Sequence, residues 1–371
     1  MKLTFRQGFC FMTCFLLGNV LSGIGAGSGH EKTGYIAVFF SFIPLLLLIF
    51  LYREVLKKNE NLGFFEMIPH LFGSFFSKLI FLAITLYSFL AAFFSISNLT
   101  NFMEASTYFK TPKFAALAVV LLLILYLCIS REKTMGRYAE IVLPIVLLAI
   151  CLLFLFGVKH FQKENLVFRF SAKNFITQGL DIFIAPFSEI IFVYLLFDML
   201  KDRTKITKIA ISSCLLTGIL FFLLYLFNLL ILGEKLMGAV SFPTFFAASV
   251  VEVGTVIEKA ETLITFSYTF CDLLYGGACI YLFTKAVSLL CFKTKKQTKK
   301  ITAVIAVILI FLLLSIPGLS ENLRAYYREV SICMIPFTIG LPLVMFMLTL
   351  LKTSNTKGHF QKSCSNGDHE Q

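Results

Sequence analysis

Long apolar runs separated by short polar connections dominate this chain. A helix that crosses a bilayer needs about 20 consecutive, mostly apolar residues, with a range of about 17–25. Ten runs meet this requirement, at about 7–27, 35–52, 78–98, 114–130, 139–158, 180–199, 208–232, 262–290, 301–317 and 330–351. The pattern predicts an all-α polytopic membrane protein. Its single membrane domain covers residues 1–352, and a polar tail follows over 353–371.

Composition agrees with the pattern. Hydrophobic residues make up 58% of the 371 residues and charged residues only 15%, which excludes an ordinary soluble protein. The connections leave no room for a soluble catalytic domain, and we find no HExxH motif and no convincing nucleophile with a base. We therefore expect no enzymatic activity and place any binding site inside the bundle. The ten cysteines lie mostly within spans, without metal-ligand spacing, so no cofactor or metal is expected.

The formal charge of +12 is spread over the connections instead of forming a basic domain, so it indicates membrane topology and no nucleic-acid partner. With the N-terminus inside, the cytoplasmic segments hold 21 Lys and Arg residues and the opposite side holds 11. This bias predicts that both termini are cytoplasmic. The N-terminal run has features of a secretory signal, but we expect it to be retained because its removal would leave an odd number of spans.

The first span contains an unusual glycine-rich stretch, LGNVLSGIGAGSG, over 17–29. Glycine costs about 1 kcal/mol relative to alanine in a helix interior, so the stretch predicts an interruption of the first helix. Inside a membrane, freed backbone groups are tolerated only where protein or a water-filled cavity surrounds them, which points to a small-molecule site. Two alternatives are open: the glycines form the loop after an unbroken helix, or they form a close helix-packing face.

Ten spans with both termini on one side permit two five-helix halves of opposite orientation, over about 7–158 and 180–351. This is the inverted repeat of many secondary transporters, in which the first helix of each half is interrupted. The sixth span has the required breaker, because Pro186 and Glu189 lie inside its apolar run. These residues and the segment 18–22 fall at similar depths in the outer half of the bilayer. The match favours a binding site and places its start at Gly18 instead of at the densest glycines.

Other polar features fall near the predicted site. Asp272 lies well inside the eighth span, where it either faces the site or pairs with Lys285 or a hydroxyl group. The segment 61–77 mixes aromatic and polar residues and is expected at the cytoplasmic interface. The segment 241–261 is too short and too broken to span as one helix. We expect it to form a pair of short helices that cap the outer mouth.

Several of these segments together resemble the endospore germination permeases, the B subunits of GerA-type spore germinant receptors in the amino acid/polyamine/organocation transporter superfamily. The matching segments are Gly18 followed by Asn19, the loop from Phe64 to Gly73 leading to Lys78, GRYAEIVLP from Gly136 to Pro144, PFSE from Pro186 to Glu189, and VEVGTVIEKAE from Val251 to Glu261. The chain departs from the family at Ser188, where glycine is usual, and at Tyr268 and Tyr275, where Trp and Lys are common.

The resemblance implies a LeuT-like fold of ten helices, with helices 1 and 6 broken, in the inner membrane of a spore. It also implies receptor A and C subunits as partners, surrounding membrane lipid, and a nutrient germinant, commonly an amino acid, as ligand. The ligand carboxylate is expected on freed amides around Gly18 to Gly25, and the ammonium on carbonyls around Ala185 to Ser188. The expected ligand-binding residues are Gly18, Asn19, Ser22, Gly23, Gly25, Ala185, Pro186, Phe187, Ser188, Glu189, Tyr268 and Asp272.

A true transporter is the rival interpretation. It would share the fold and the site, and Glu189 or Asp272 would exchange a proton to drive amino acid uptake.

Overall fold

The structure, a computed structural model, describes residues 2–23, 34–59, 62–106, 113–166, 179, 190, 192–251, 260–291, 296–316 and 335–351. Over these ranges the chain is almost entirely helical. The helices are α1 (Phe5–Gly23), α2 (Gly34–Lys58), α3 (Phe64–Ser106), α4 (Lys113–Ile129), α5 (Glu132–Gly157), α6 (Phe192–Met199), α7 (Ile206–Ala239), α8 (Pro243–Ser249), α9 (Glu261–Leu290), α10 (Lys296–Leu314) and α11 (Thr338–Leu351).

Each of the ten predicted spans overlaps one of these helices. By length and composition, five helical segments among the described residues qualify to cross a membrane: Ala37–Lys58, Phe64–Ser106, Glu132–His160, Arg203–Ala239 and Glu261–Leu290. The structure therefore supports an integral membrane protein of many helices. The count of ten spans stays a prediction.

Two helices contain a glycine whose backbone is not helical. Gly73 divides α3, with φ 77° and ψ 178°, and Gly233 divides α7, with φ 70° and ψ 169°. Both conformations belong to a region that only glycine occupies readily. The part of α3 before Gly73 covers most of the segment that was expected at the interface. The longer part after it contains the predicted third span.

α9 lies at the centre of the bundle. The most apolar part of α9 is 67% buried, against 39% for that of α5. α9 packs along α3, and α1, α4, α5 and α10 surround it. Pairs of side chains fix the α3–α9 direction as antiparallel: Phe102 contacts Tyr268, whereas Phe89 contacts Phe283. A residue in the middle of α9 is therefore surrounded by protein on every side.

α1 and α6 run in opposite directions. The Leu3 amide donates to the Met199 carbonyl at 2.8 Å, and the Lys201 amide donates to the Leu3 carbonyl at 2.9 Å. The beginning of α1 thus meets the end of α6. This is the relative orientation that an inverted repeat requires of its two leading helices.

Candidate ligand-binding site

Gly18 lies where the backbones of α1 and α9 pack closely together. A Cβ atom placed on Gly18 would lie 2.9 Å from the Cys271 carbonyl oxygen and 3.2 Å from Tyr275 Cβ. Real Cβ atoms essentially never come within 3.0 Å of a backbone atom in this way. Gly18 therefore has the role of a close helix-packing residue, which was one of the alternatives that the sequence left open.

α1 stays helical through Gly23. The prediction that an interruption begins at Gly18 is wrong, because Gly18, Asn19, Ser22 and Gly23 all lie within the continuous helix. The Asn19 side chain is buried, with 2% of its surface exposed. Within a helix the amides donate to carbonyls four residues earlier, so those of 18–23 are not free for a ligand. Gly25 and the segment from Ala185 to Glu189, which includes Pro186, Phe187 and Ser188, lie outside the described residues.

Asp272 lies in the interior, opposite α3. The Ser95 hydroxyl donates a hydrogen bond of 2.8 Å to Asp272 Oδ1. The second carboxylate oxygen, Oδ2, is buried and has no hydrogen-bond partner among the described residues. Only 1% of Asp272 is exposed. Of the alternatives considered from the sequence, the hydroxyl partner is the one present.

Lys285 pairs with a different carboxylate, at one end of the bundle. Its Nζ atom lies 3.0 Å from Asp198 Oδ2 and 4.3 Å from the centre of the Phe65 ring. Asp198 Oδ1 also accepts a hydrogen bond of 2.8 Å from the Phe64 amide. Lys285 is 13 residues after Asp272, about 20 Å along a helix. This distance leaves Asp272 without a basic neighbour on its own helix face.

A group of buried aromatic side chains joins α1, α3, α6 and α9. The Phe15 ring centroid lies 4.3 Å from that of Phe192 and 4.8 Å from that of Tyr275. Tyr87 lies 6.4 Å from Phe192 on the other side. These contacts place Phe192, the first residue of α6, beside the middle of α1. A binding site shared by α1 and α6 requires these two parts of the helices to be neighbours.

A second aromatic group covers the end of the bundle remote from Lys285. Tyr268 stacks on Phe102 with a centroid distance of 4.1 Å, and Phe242 packs edge-on against both rings. Phe245 of α8 also contacts Phe102. α8 is therefore the first of the two short helices expected over 241–261. Residues 252–259, where the second would lie, are outside the described residues.

The structure brings three of the expected site residues to one junction. Gly18 contacts Cys271, whose chain neighbour is Asp272, and Tyr268 lies one helical turn earlier on α9. Sequence reasoning missed Ser95, Phe15, Tyr87 and Phe192. Serine and aromatic residues are frequent throughout the apolar runs, so no signal in one sequence separates these four from ordinary packing residues.

The antiparallel pair α1 and α6, together with a buried acidic residue on the central helix α9, defines a secondary-transporter-like membrane protein. Solved structures agree, and their similarity bears on the fold alone. A Na⁺-coupled sialic acid symporter matches with a TM-score of 0.66 and 12% identity, covering 93% of this chain and 80% of the symporter chain. The manganese transporter of Eremococcus coleocola matches with a TM-score of 0.58 and 14% identity, covering 95% and 86%. The fold is that of the LeuT-like transporters.

The sequence identifies the family more narrowly. Residues 2–322 match the model of the family described as spore germination protein, and the chain belongs to this family of spore permeases. Spore germination protein KB of Bacillus subtilis (strain 168) is 22% identical in an alignment 368 positions long that covers 95% of each chain. The family expected from the sequence motifs is thereby confirmed.

Proposed function

We propose that this protein is the nutrient-recognition subunit of a spore germinant receptor and binds a small amino acid between α1, α3, α6 and α9. The family membership supports a role in germination, and the transporter-like fold supports a central small-molecule site. Receptor A and C subunits are the proposed partners. The proposed location is the spore inner membrane, with both termini in the cytoplasm.

The carboxylate of Asp272 is the observation that carries this proposal. A buried ionised carboxylate is costly unless its oxygens are hydrogen-bonded or a cation is nearby. Ser95 satisfies one oxygen, and Oδ2 has no partner among the described residues. The ammonium group of an amino acid would supply both the positive charge and a donor.

α1 borders the proposed site beside Asp272. Gly18 packs against Cys271, the chain neighbour of Asp272, and α1 is helical through Gly23. The proposed ammonium position therefore lies beside Asp272, and it replaces the one expected on the carbonyls of Ala185 to Ser188. The proposed carboxylate position shifts to amides beyond Gly23, where Gly25 lies, and Pro186 to Glu189 are proposed as the opposite wall.

Binding transmits a signal only if the ligand favours one of two conformations. α1, α6 and the α8 cap are the elements proposed to move, because all three border the site. The partner A subunit would respond to the changed arrangement of α1, α6 and α8.

Spores that carry the Asp272→Asn variant in a strain lacking the native gene test this proposal. Germination in response to single amino acids should be lost, because the amide removes the charge that the ammonium needs. Asp202→Asn is the matched control, because this acid is exposed and bonds with its chain neighbours Thr204 and Lys205. An unchanged amino acid response in the Asp272 variant would contradict the proposal.

A proton-coupled amino acid transporter is the second candidate, and the buried carboxyl group with one hydrogen bond favours it. Such a group can take up and release a proton as the site opens to either side. Radiolabelled amino acid uptake into vesicles separates the two candidates. Binding without accumulation supports the receptor, and accumulation driven by a pH gradient supports the transporter.

A further inference from the structure

A cavity lined by several polar and charged side chains lies at the end of the bundle that contains Lys285, away from the proposed amino acid site. It has a volume of about 320 Å³ and opens between the end of α4, the start of α5, the last third of α9 and the start of α10. Small-molecule sites range from about 300 to 1,000 Å³, so this cavity suits a compact polar group. The polar side chains that line it and matter here are Arg131, Glu132, Tyr281, Thr284, Lys299 and Lys300.

Positive charge dominates the cavity. Arg131, Lys299 and Lys300 have no ion-pair partner among the described residues. Among the described residues of the lining, Glu132 supplies the one carboxylate, and it accepts a hydrogen bond of 2.6 Å from the Tyr281 hydroxyl. Three cations facing one such carboxylate leave a net attraction for an anion.

The start of α5 adds to this attraction. Arg131 occupies the N-cap position, and its side chain makes no capping hydrogen bond. The N-terminal end of a helix carries partial positive charge and unpaired amides, which favour an anion with several acceptor oxygens. A phosphate group has this chemistry.

The surroundings of the cavity indicate where the phosphate comes from. α4 and α10 pack against each other beside it. Both present large apolar side chains on their outer surfaces, with Leu122 and Tyr126 each 65% exposed and Ile301 60% exposed. In a membrane protein such a surface contacts acyl chains. A phosphate in the cavity and hydrocarbon along α4 and α10 together match one phospholipid molecule.

We propose that this cavity binds the phosphate headgroup of an anionic phospholipid, with Arg131, Lys299 and Lys300 as its cationic ligands and the acyl chains against α4 and α10. Basic pockets between membrane helices at the cytoplasmic face are a known setting for such headgroups. The predicted topology assigns this end of the bundle to the cytoplasm. The proposal does not depend on which amino acid the central site takes.

The test uses the full chain in neutral detergent and native mass spectrometry to measure lipid binding. The probes are phosphatidylglycerol, phosphatidylcholine with the same chains, and inorganic phosphate. Each cation near an anionic surface contributes about a fivefold change, so the triple variant Arg131→Gln, Lys299→Gln, Lys300→Gln should lose affinity for phosphatidylglycerol by on the order of 100-fold. Phosphatidylcholine should bind weakly to both proteins.

A matched variant controls for the loss of charge. Arg53→Gln, Lys57→Gln, Lys58→Gln removes three cations around the end of α2 and should leave phosphatidylglycerol binding unchanged. Glu132→Gln should strengthen that binding, an effect that misfolding of a variant cannot imitate. Undiminished binding by the cavity variant, or an equal loss in the control, overturns the proposal. Inorganic phosphate that binds as tightly as phosphatidylglycerol also overturns it, because the site would then serve a soluble anion.

Discussion

Gly18 of α1 and Cys271 of α9 bring two helix backbones into direct contact, because a Cβ atom on Gly18 would lie only 2.9 Å from the Cys271 carbonyl oxygen. The Cys271 carbonyl oxygen belongs to the backbone of α9, a central helix, so it cannot move away as the end of a flexible side chain could. Gly18→Ala should destabilise the protein by about 1–3 kcal/mol, the usual cost of overpacking, and Gly18→Val by more. Thermal unfolding in detergent, followed with a thiol-reactive dye that reports exposure of buried cysteines, measures the loss.

Gly340→Ala is the control for this pair of variants. No atom of the described residues lies within 4 Å of a Cβ at Gly340, so its melting temperature should stay close to that of the unmodified protein. Equal melting temperatures for Gly18→Ala and Gly340→Ala would show that the α1–α9 contact is looser than the structure indicates.

Removal of the Ser95 hydroxyl should weaken both stability and ligand response. Ser95→Ala leaves Asp272 Oδ1 without its 2.8 Å hydrogen bond, and hydrogen bonds between membrane helices contribute about 0.6–2 kcal/mol. The proposed site would also lose the contact that orients the carboxylate. Amino acid concentration curves for germination should shift to higher concentration.

Ser212→Ala tests whether any serine would give this result. The Ser212 hydroxyl bonds to carbonyls of its own helix, those of Lys208 and Ile209. Its germination curve should match that of the unmodified protein. A Ser95→Ala curve that also matched would remove Ser95 from the site.

The Asp198–Lys285 pair should contribute more to the free energy of unfolding than the exposed ion pairs of the molecule do. Lys285 and Asp198 side chains are 20% and 12% exposed, so loss of either partner should cost about 1–3 kcal/mol, below the 3–5 kcal/mol of a fully buried pair. Asp198→Ala should cost more than Asp198→Asn, because asparagine still accepts from the Phe64 amide. A double-mutant cycle with Lys285→Met measures the coupling energy.

The exposed pair of Asp202 and Lys205 serves as the reference for that cycle. Its side chains are 46% and 51% exposed, and exposed pairs contribute about 0–1 kcal/mol. If the coupling energy of Asp198 and Lys285 is no larger than this reference, the prediction that the less exposed pair contributes more to stability is wrong.

Gly73 should resist substitution for conformational reasons alone. No atom of the described residues lies within 4 Å of a Cβ at this position, yet φ is 77° and ψ is 178°. Side chains in this region cost about 1–3 kcal/mol, so Gly73→Ala should lower the melting temperature. Asparagine tolerates left-handed helical angles, but a ψ of 178° lies far from them. Gly73→Asn should therefore lower the melting temperature as much as Gly73→Ala does. A rescue by asparagine would show that the local backbone is left-handed helical instead.

The sequence predicted the helical architecture well because hydrophobic length is a direct physical requirement of the bilayer. The predicted end of the seventh span at 232 falls one residue before the kink at Gly233. The glycine-rich stretch was harder to interpret, since glycine serves both flexible backbone and close packing. At Gly18 the packing role prevails, because α9, which is distant in the sequence, passes within contact distance.

The partners of buried polar residues could not be predicted for a similar reason. Asp272 had three candidate environments, and the choice depends on which helices lie beside α9 in three dimensions. Ser95 is 177 positions away in the chain, and nothing in its own neighbourhood distinguishes it from other serines of the third span. The same holds for Asp198, whose pairing with Lys285 depends on how α6 approaches α9.

The end of α6 is held on three sides. Its backbone bonds with Leu3, and Asp198 engages both Phe64 of α3 and Lys285 of α9. A helix held at one end can tilt about that end but cannot slide along its own axis. Its other end therefore moves the furthest. The opposite end of α6 is the one that carries Phe192 beside Phe15. A small tilt of α6 about its anchored end would therefore displace Phe192 the most, next to the aromatic group around Phe15.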